Sequence, residues 1–360
     1  MTFSDFVGNQ PIVASLRRMA AENRLPQTLL FAGPRGVGKA TLARLLTADV
    51  NCTARRGEPC GKCSNCLRIQ QADLSDESFQ AMFEERLKLP AAKRVENPLI
   101  VSTHPDFLIF PPDGPLRMIT IEQARRLREA AQFAPSEGKR RVFLIDHADR
   151  ANDEAANSLL KTLEEPAPNL TVILTAENPY ELLPTIRSRS IPFYFAPLSA
   201  SEMERFLEPR TTVSARDRQR LARWSQGSPG DALALDVEQY IARRDSMLTL
   251  LRTALGQASF AELLSHTEAL ARQRQERIEI LADSLYGLLH DLLHLRLNLP
   301  ESVINSDIQK DLEKMAQAAS FQWIEKAAIG ISEIHQLDRR NIQKQLALEA
   351  LAVGLRRASA

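Results

Sequence analysis

Short apolar stretches rich in β-branched and aromatic residues recur along the first half of the chain. They lie at 28–32, 107–110, 141–145, 171–175 and 191–195. Between several of them the apolar positions fall at helical spacing, as at 41–50, 121–133 and 152–163. Strands alternating with helices predict an α/β fold with a mainly parallel sheet and helices on both faces. That pattern covers residues 1–196.

Beyond Pro197 the strand signals stop. Ser199 with Glu202 and Ser214 with Asp217 have the spacing of helix-capping pairs. Gly227-Ser228-Pro229-Gly230 ends the second of these helices and opens a third, which predicts a small helical domain over 197–238. From 239 to 360 the chain reads as long amphipathic helices, interrupted around 298–305, and so as a second, all-α domain. Residues 71–103, with Pro90 and Pro98, read as an irregular insertion bearing one short helix. No internal repeat is visible.

Charge and composition narrow the function classes. Over 360 residues, 46 Lys and Arg balance 45 Asp and Glu, a formal net charge of +1. This excludes a globally basic, histone-like mechanism. Residues 1–70 alone carry ten Lys/Arg against four Asp/Glu, leaving a local basic stretch. No apolar run approaches the roughly 18–20 residues that cross a bilayer. The opening Phe3-Ser4-Asp5 lacks the basic and apolar regions of a signal peptide. The expectation is a cytoplasmic protein with no membrane partner.

All four cysteines fall in one array, Cys52, Cys60, Cys63 and Cys66. Two-residue gaps let neighbouring thiolates turn onto one ion, and four sulfurs complete a closed tetrahedral zinc site. Gly57, Pro59 and Gly61 supply the turns such a knuckle needs. With no open ligand position, the predicted zinc is structural, in a module spanning 52–66. An iron–sulfur cluster or four unrelated thiols are the competing readings.

Gly33-Pro34-Arg35-Gly36-Val37-Gly38-Lys39-Ala40 follows a predicted strand and opens a predicted helix. That context makes a GxxxxGK match a candidate phosphate cradle for ATP or ADP, with Lys39 reaching the outer phosphates. A glycine-rich strand-to-helix turn is the structural alternative. Ala40 stands where a Ser or Thr normally ligates Mg²⁺. Thr41 follows, but one residue along a helix rotates its hydroxyl by about 100°. Asp146, at the end of the 141–145 strand, could hold Mg²⁺ through water. Its neighbour His147 leaves no carboxylate beside it to orient an attacking water. These residues predict phosphate binding with an impaired Mg²⁺ site and little hydrolysis.

Taken together, these motifs resemble the AAA+ clamp-loader subunits of bacterial DNA polymerase III. The match runs through Phe6-Val7-Gly8-Asn9-Gln10, the phosphate loop with its cysteine array, His104-Pro105-Asp106 and Ile145-Asp146-His147-Ala148-Asp149. It continues through the segment from Asn157 to Pro166 and ends at Leu183-Pro184-Thr185-Ile186-Arg187-Ser188-Arg189. The resemblance implies an AAA+ P-loop domain with a zinc-binding module, then a helical lid and an all-α collar through which subunits assemble. It also implies gamma/tau motor subunits, a delta subunit, the sliding clamp and primed DNA as partners.

Within the family, two kinds of subunit carry the zinc module, the ATP-hydrolysing gamma/tau motor and the delta-prime subunit. Ala40, His147 and the lack of a lid arginine near Gly230 resemble the delta-prime kind, as does the length without a long tail. The gamma/tau-type motor is the alternative. By resemblance, Arg189 in Ser188-Arg189-Ser190 presents a guanidinium to ATP on the adjacent subunit, and Ser190 replaces the family's cysteine. A permanently charged planar donor suits that role. An ordinary surface arginine is the other reading.

Three further groups stand apart. Glu164 and Glu165 form an acid pair without a nucleophile motif and read as a solvated helix end or a salt-bridge partner. Arg125, Arg126 and Arg128 are candidates for contacts to DNA phosphates, or a solvated face. His290-Asp291-Leu292-Leu293-His294 mimics a zinc-hydrolase helix motif, but it lacks a third ligand and reads as structural.

Overall fold

The computed structural model describes residues 1–54, 57–272, 278–337 and 343–359. The chain divides into two compact units. One comprises Met1–Arg218 with Gly227–Leu233, the other Gln219–Gln226 with Ala234–Ala360.

The first unit holds six strands: β1 (Thr28–Ala32), β2 (Val101–His104), β3 (Phe107–Phe110), β4 (Arg141–Ile145), β5 (Leu170–Ala176) and β6 (Ile191–Tyr194). They form one sheet in the order β2-β3-β4-β5-β1-β6. All neighbours pair in parallel except β2, which runs antiparallel to β3. Leu29 of β1 sits opposite Ile173 of β5 on one side and Ile191 of β6 on the other.

β1 and β5 are buried at every residue, as strands covered on both faces must be. Their side chains alternate between two apolar layers. Leu29, Phe31, Val142 and Leu144 join the layer that contains Leu42 and Leu45 of the helix Lys39–Val50. Leu30, Phe143 and Ile145 join the opposite layer, with Leu127 and Leu159 of two further helices. Each fully buried Leu or Phe contributes on the order of 1.5–3 kcal/mol. β6 is an exposed edge, and its Pro192 blunts pairing with another strand.

The five strands expected from apolar runs are present, with β5 extended to Leu170–Ala176. β2 is an addition. Its sequence, Val-Ser-Thr-His, alternates weakly on a half-exposed edge and carries no apolar run. The 71–103 insertion also differs from expectation, because it carries two helices, Glu77–Leu87 and Ala91–Glu96, before β2. Neither helix buries a residue, so their apolar periodicity is faint. Phe79 and Phe83 of the first helix pack partly buried against the apolar core, and a bidentate ion pair anchors its end, Arg86 Nε and Nη2 lying 2.8 and 2.6 Å from the two oxygens of Asp113.

The second unit is helical. Its longer helices are Val237–Ala254, Phe260–Arg272, Ile278–Arg296, Gln309–Ala318, Phe321–Leu337 and Lys344–Ser359. Leu250, Leu251, Leu281, Leu285, Leu288 and Leu312 meet in one apolar core. Among the described residues, no helix is long and apolar enough to cross a membrane.

Candidate functional site

Residues 33–38 connect the buried end of β1 to the helix Lys39–Val50. Gly33 has φ +146°, and a Cβ there would lie 2.4 Å from the Phe195 carbonyl oxygen. Gly36 has φ +70°. Both positions need glycine, so the loop's shape follows from its sequence. Val37 is buried, whereas Pro34 and Arg35 are not. Ala40 and Thr41 lie in the first turn of the helix, both half-buried.

Lys39 is 7% exposed and turns back into its own loop. Its Nζ donates to Gly33 O at 2.5 Å and to Pro34 O at 2.7 Å. Burial draws its ammonium below the ordinary lysine range, against the opposing pull of Glu177, Asp146, Asp149 and Asp231.

Asp146 follows β4 and faces β5. Thr175 Oγ1 donates to Asp146 Oδ1 at 2.7 Å and accepts the His147 amide at 2.8 Å. His147 holds φ +51°, an uncommon backbone conformation for a non-glycine residue. Its Nδ1 lies 3.5 Å from Glu177 Oε1. Asp149 Oδ2 accepts the Glu177 amide at 2.8 Å, which ties the tip of β5 to the end of β4. Glu177 lies in the polar tip Thr175–Asn178, within which the sequence singles out no one residue. It sits one residue past β5, and only the parallel pairing of β4 with β5 brings it beside His147.

The cysteines converge. Cys52, Cys60, Cys63 and Cys66 place their sulfurs within 4.8 Å of one another. Cys60 Sγ and Cys66 Sγ are 3.9 Å apart, close to the edge of a tetrahedron with metal–sulfur bonds of roughly 2.3 Å. All four are free thiols. The donor set and spacing fit a closed tetrahedral metal site, and no other group of three or more His, Cys, Asp or Glu among the described residues does so. The helix Ser64–Gln71, which carries Cys66, is bound to β2 from both sides. Arg68 Nε donates to Thr103 O at 3.0 Å, and Thr103 Oγ1 donates to Arg68 O at 2.6 Å.

His104-Pro105-Asp106 is a structural element of this region. The buried Asp106 carboxylate accepts the amides of Ser136, Glu137 and Gly138 at 2.8, 2.8 and 2.6 Å. His104 Nδ1 accepts the Asp106 amide at 3.1 Å. Asn51, beside Cys52, continues the clasp by accepting the Lys139 and Arg140 amides at 2.8 and 3.0 Å.

A family described as DNA polymerase III, delta subunit, matches residues 8–199, more than half of the chain. The chain belongs to that family. The match spans the phosphate loop, the four cysteines, Asp146 and Arg189 of this delta-subunit family member. The tau subunit of DNA polymerase III from Escherichia coli K12 is 30% identical over 311 residues, 80% of this chain and 43% of that protein. The delta' subunit from Bacillus subtilis 168 is 33% identical over 196 residues, 54% of this chain and 50% of that protein. The chain thus spans less than half the length of the tau subunits it matches. A DNA polymerase III gamma subunit-related protein from Thermotoga maritima covers 97% of this chain at 14% identity, with a TM-score of 0.40.

In this family member Arg189 follows the helix Pro184–Arg187. Its Nη2 lies 2.8 Å from Glu164 Oε1, and its Nη1 donates to Thr185 O at 3.0 Å. Arg125, Arg126 and Arg128 are exposed on the helix Ile121–Ala130, with Arg126 3.1 Å from Glu129. The His290 and His294 rings contact each other at 3.9 Å between centroids. The intervening Asp291 is fully buried and accepts Ile304 N, Asn305 N and Asn305 Nδ2 at 2.7, 2.9 and 2.8 Å. A carboxylate so engaged serves the fold of the 298–305 interruption.

Proposed function

We propose that this chain is a delta-prime-type subunit of the DNA polymerase III clamp loader, an AAA+ protein that helps place the sliding clamp on primed DNA. In this reading 1–196 is the nucleotide-binding-like domain, 197–238 a lid and 239–360 a collar that joins it to gamma/tau motor subunits and a delta subunit. Residues 33–41 and Asp146 hold ATP or ADP, and the four cysteines hold a structural zinc. The protein works in the cytoplasm.

One observation carries the non-motor assignment. Around an otherwise complete phosphate loop, Ala40 supplies no oxygen for Mg²⁺ and His147 stands next to Asp146 in place of an acid. Without those groups the site binds phosphate but stabilises little of the charge that develops during phosphoryl transfer. Arg189 then serves a neighbouring motor subunit in trans, as a permanent cation brought to another chain's ATP.

A gamma/tau-type motor is the second reading. It is favoured by the tau relative, which matches 80% of the chain, and by the Glu177 carboxylate beside His147. Phosphate release measured on the purified chain, and then on the chain reassembled with partner subunits, separates the two. The delta-prime reading expects no turnover alone, and in the assembly a turnover that falls at least about tenfold with Arg189→Ala. Sustained turnover by the isolated chain would favour the motor.

A further inference from the structure

At the edge of the sheet opposite the phosphate loop, the first unit forms an open cavity of about 490 Å³. β1, β4 and β5 run parallel, so the residues that precede them gather at that one edge. Gln27 comes from the approach to β1, Lys139 and Arg140 from that to β4, and Asn169 from that to β5. Asn23, just past the helix Gln10–Ala21, bounds another side. Two cations and three side-chain amides thus line the space, and no carboxylate among the described residues does.

Arg140 is held in place from every direction. Its Nε donates to Thr171 Oγ1 at 2.6 Å and its Nη2 to Leu25 O at 3.2 Å. Thr171 is itself only 1% exposed. The buried Asn51 fixes the backbone, accepting the Lys139 and Arg140 amides and donating to Arg140 O at 3.0 Å. Both side-chain partners of Arg140 are neutral oxygens, which leaves Nη1 without a partner among the described residues. Burial alone acts on the guanidinium, drawing it below the ordinary arginine range with no acidic group to oppose the shift. A rigid, half-buried cation of this kind attracts an anion strongly and loses little freedom on meeting one.

Lys139 is exposed beside it and adds a second charge with three rotatable donors. Two adjacent cations favour a phosphate group over a single carboxylate. Gln27 Nε2 already donates to Pro166 O at 3.3 Å, so Asn23 and Asn169 are the amides best placed to serve further oxygens. The size falls within the roughly 300–1,000 Å³ of small-molecule sites. Ends of one helix and three strands bound it, a compact recess rather than a track for a long strand. We propose that this recess binds a small phosphate compound, free or as a monoester, between Arg140 and Lys139.

The test is isothermal titration calorimetry of the full-length chain in magnesium-free buffer of fixed ionic strength. Pyrophosphate and ribose 5-phosphate are the probes, and the stronger of the two identifies the source of the phosphate. All titrations use a Lys39→Ala background, so the result does not depend on the phosphate loop. One site per chain is expected, weakened about three- to tenfold by Lys139→Gln and more than about tenfold by Arg140→Gln. Arg128→Gln, an exposed cation elsewhere, should change it by less than about twofold. Arg140→Gln loses two internal hydrogen bonds, so circular dichroism checks its folding, and the exposed Lys139→Gln carries the test if it fails. No saturation by either probe below about 1 mM would overturn the proposal. Binding by wild type that vanishes in Lys39→Ala would overturn it too, while leaving the phosphate loop as a nucleotide site. Equal weakening by Arg128→Gln would reduce the effect to diffuse surface charge. Displacement of the probe by an oligonucleotide in an Arg140-dependent way would make the ligand a nucleic-acid backbone and remove the small-compound assignment.

Discussion

Arg189 Nη2 and Glu164 Oε1 lie 2.8 Å apart, joining the end of the helix Asp153–Glu164 to the turn after Pro184–Arg187. The guanidinium proposed to serve another subunit is therefore held by a carboxylate of its own chain. Both side chains are more than a third exposed, so water and salt screen the pair. We predict that Glu164→Gln changes unfolding free energy by less than about 1 kcal/mol in urea titration. If Arg189 acts in trans, the same substitution leaves assembled turnover near wild type while Arg189→Ala lowers it. Equal losses from both would assign the pair a purely structural role.

The sulfur cluster predicts a metal stoichiometry. Elemental analysis of chain purified without chelator should find one zinc per chain, and Cys63→Ser or Cys66→Ser should bring it below half. Loss of a structural metal ranks among the large destabilisations, so unfolding should become easier by about 3 kcal/mol or more. Iron in place of zinc, or no metal, would remove the zinc assignment.

Asp106 makes stability depend on pH at the acid end. Burial favours its protonated form, but the Gly138, Ser136 and Glu137 amides and nearby His104 together outweigh this and hold the carboxyl below its ordinary range. A lowered folded-state pKa contributes stability that is present above the unfolded value, near 3.9, and is lost as pH falls through the folded one. Asp106→Asn should cost about 1–3 kcal/mol at pH 7 and flatten the loss of stability below pH 4. Urea midpoints of both proteins between pH 3 and 7 measure it, and parallel curves would show that another group governs the acid limb.

The histidine pair of the helical unit should prove inert. His290→Ala is expected to cost less than about 1 kcal/mol, because that side chain is 40% exposed. Asp291→Ala should cost about 2–4 kcal/mol, since it strands the Ile304 and Asn305 donors in a buried site. Thermal melts of the two variants compare the costs directly. A metal-dependent activity that vanished with His290→Ala would reverse the assignment.

Much of the molecule was legible from residue order alone. Buried parallel strands must be continuously apolar, and glycines at 33 and 36 are required where the backbone turns in ways side chains forbid. Cysteines spaced by two residues can turn onto one ion. Local physics of this kind is written in neighbouring residues, so the α/β class, five of the six strands and the convergence of the four sulfurs could be expected. β2 and the second of the two helices within 77–96 were not expected, because exposed elements carry little apolar signal.

Relations between distant residues needed the fold. Glu177 beside His147, Glu164 on Arg189 and Asp231 against Arg35 join positions 30, 25 and 196 residues apart. No periodicity encodes such meetings. They arise when the sheet sets β5 next to β4 and brings the turn at 227–231 to the phosphate loop. Residue order settled which chemical groups the protein owns. Tertiary packing decided which of them face one another, because charge and hydrogen bonding act across a few ångströms of space whatever the separation along the chain.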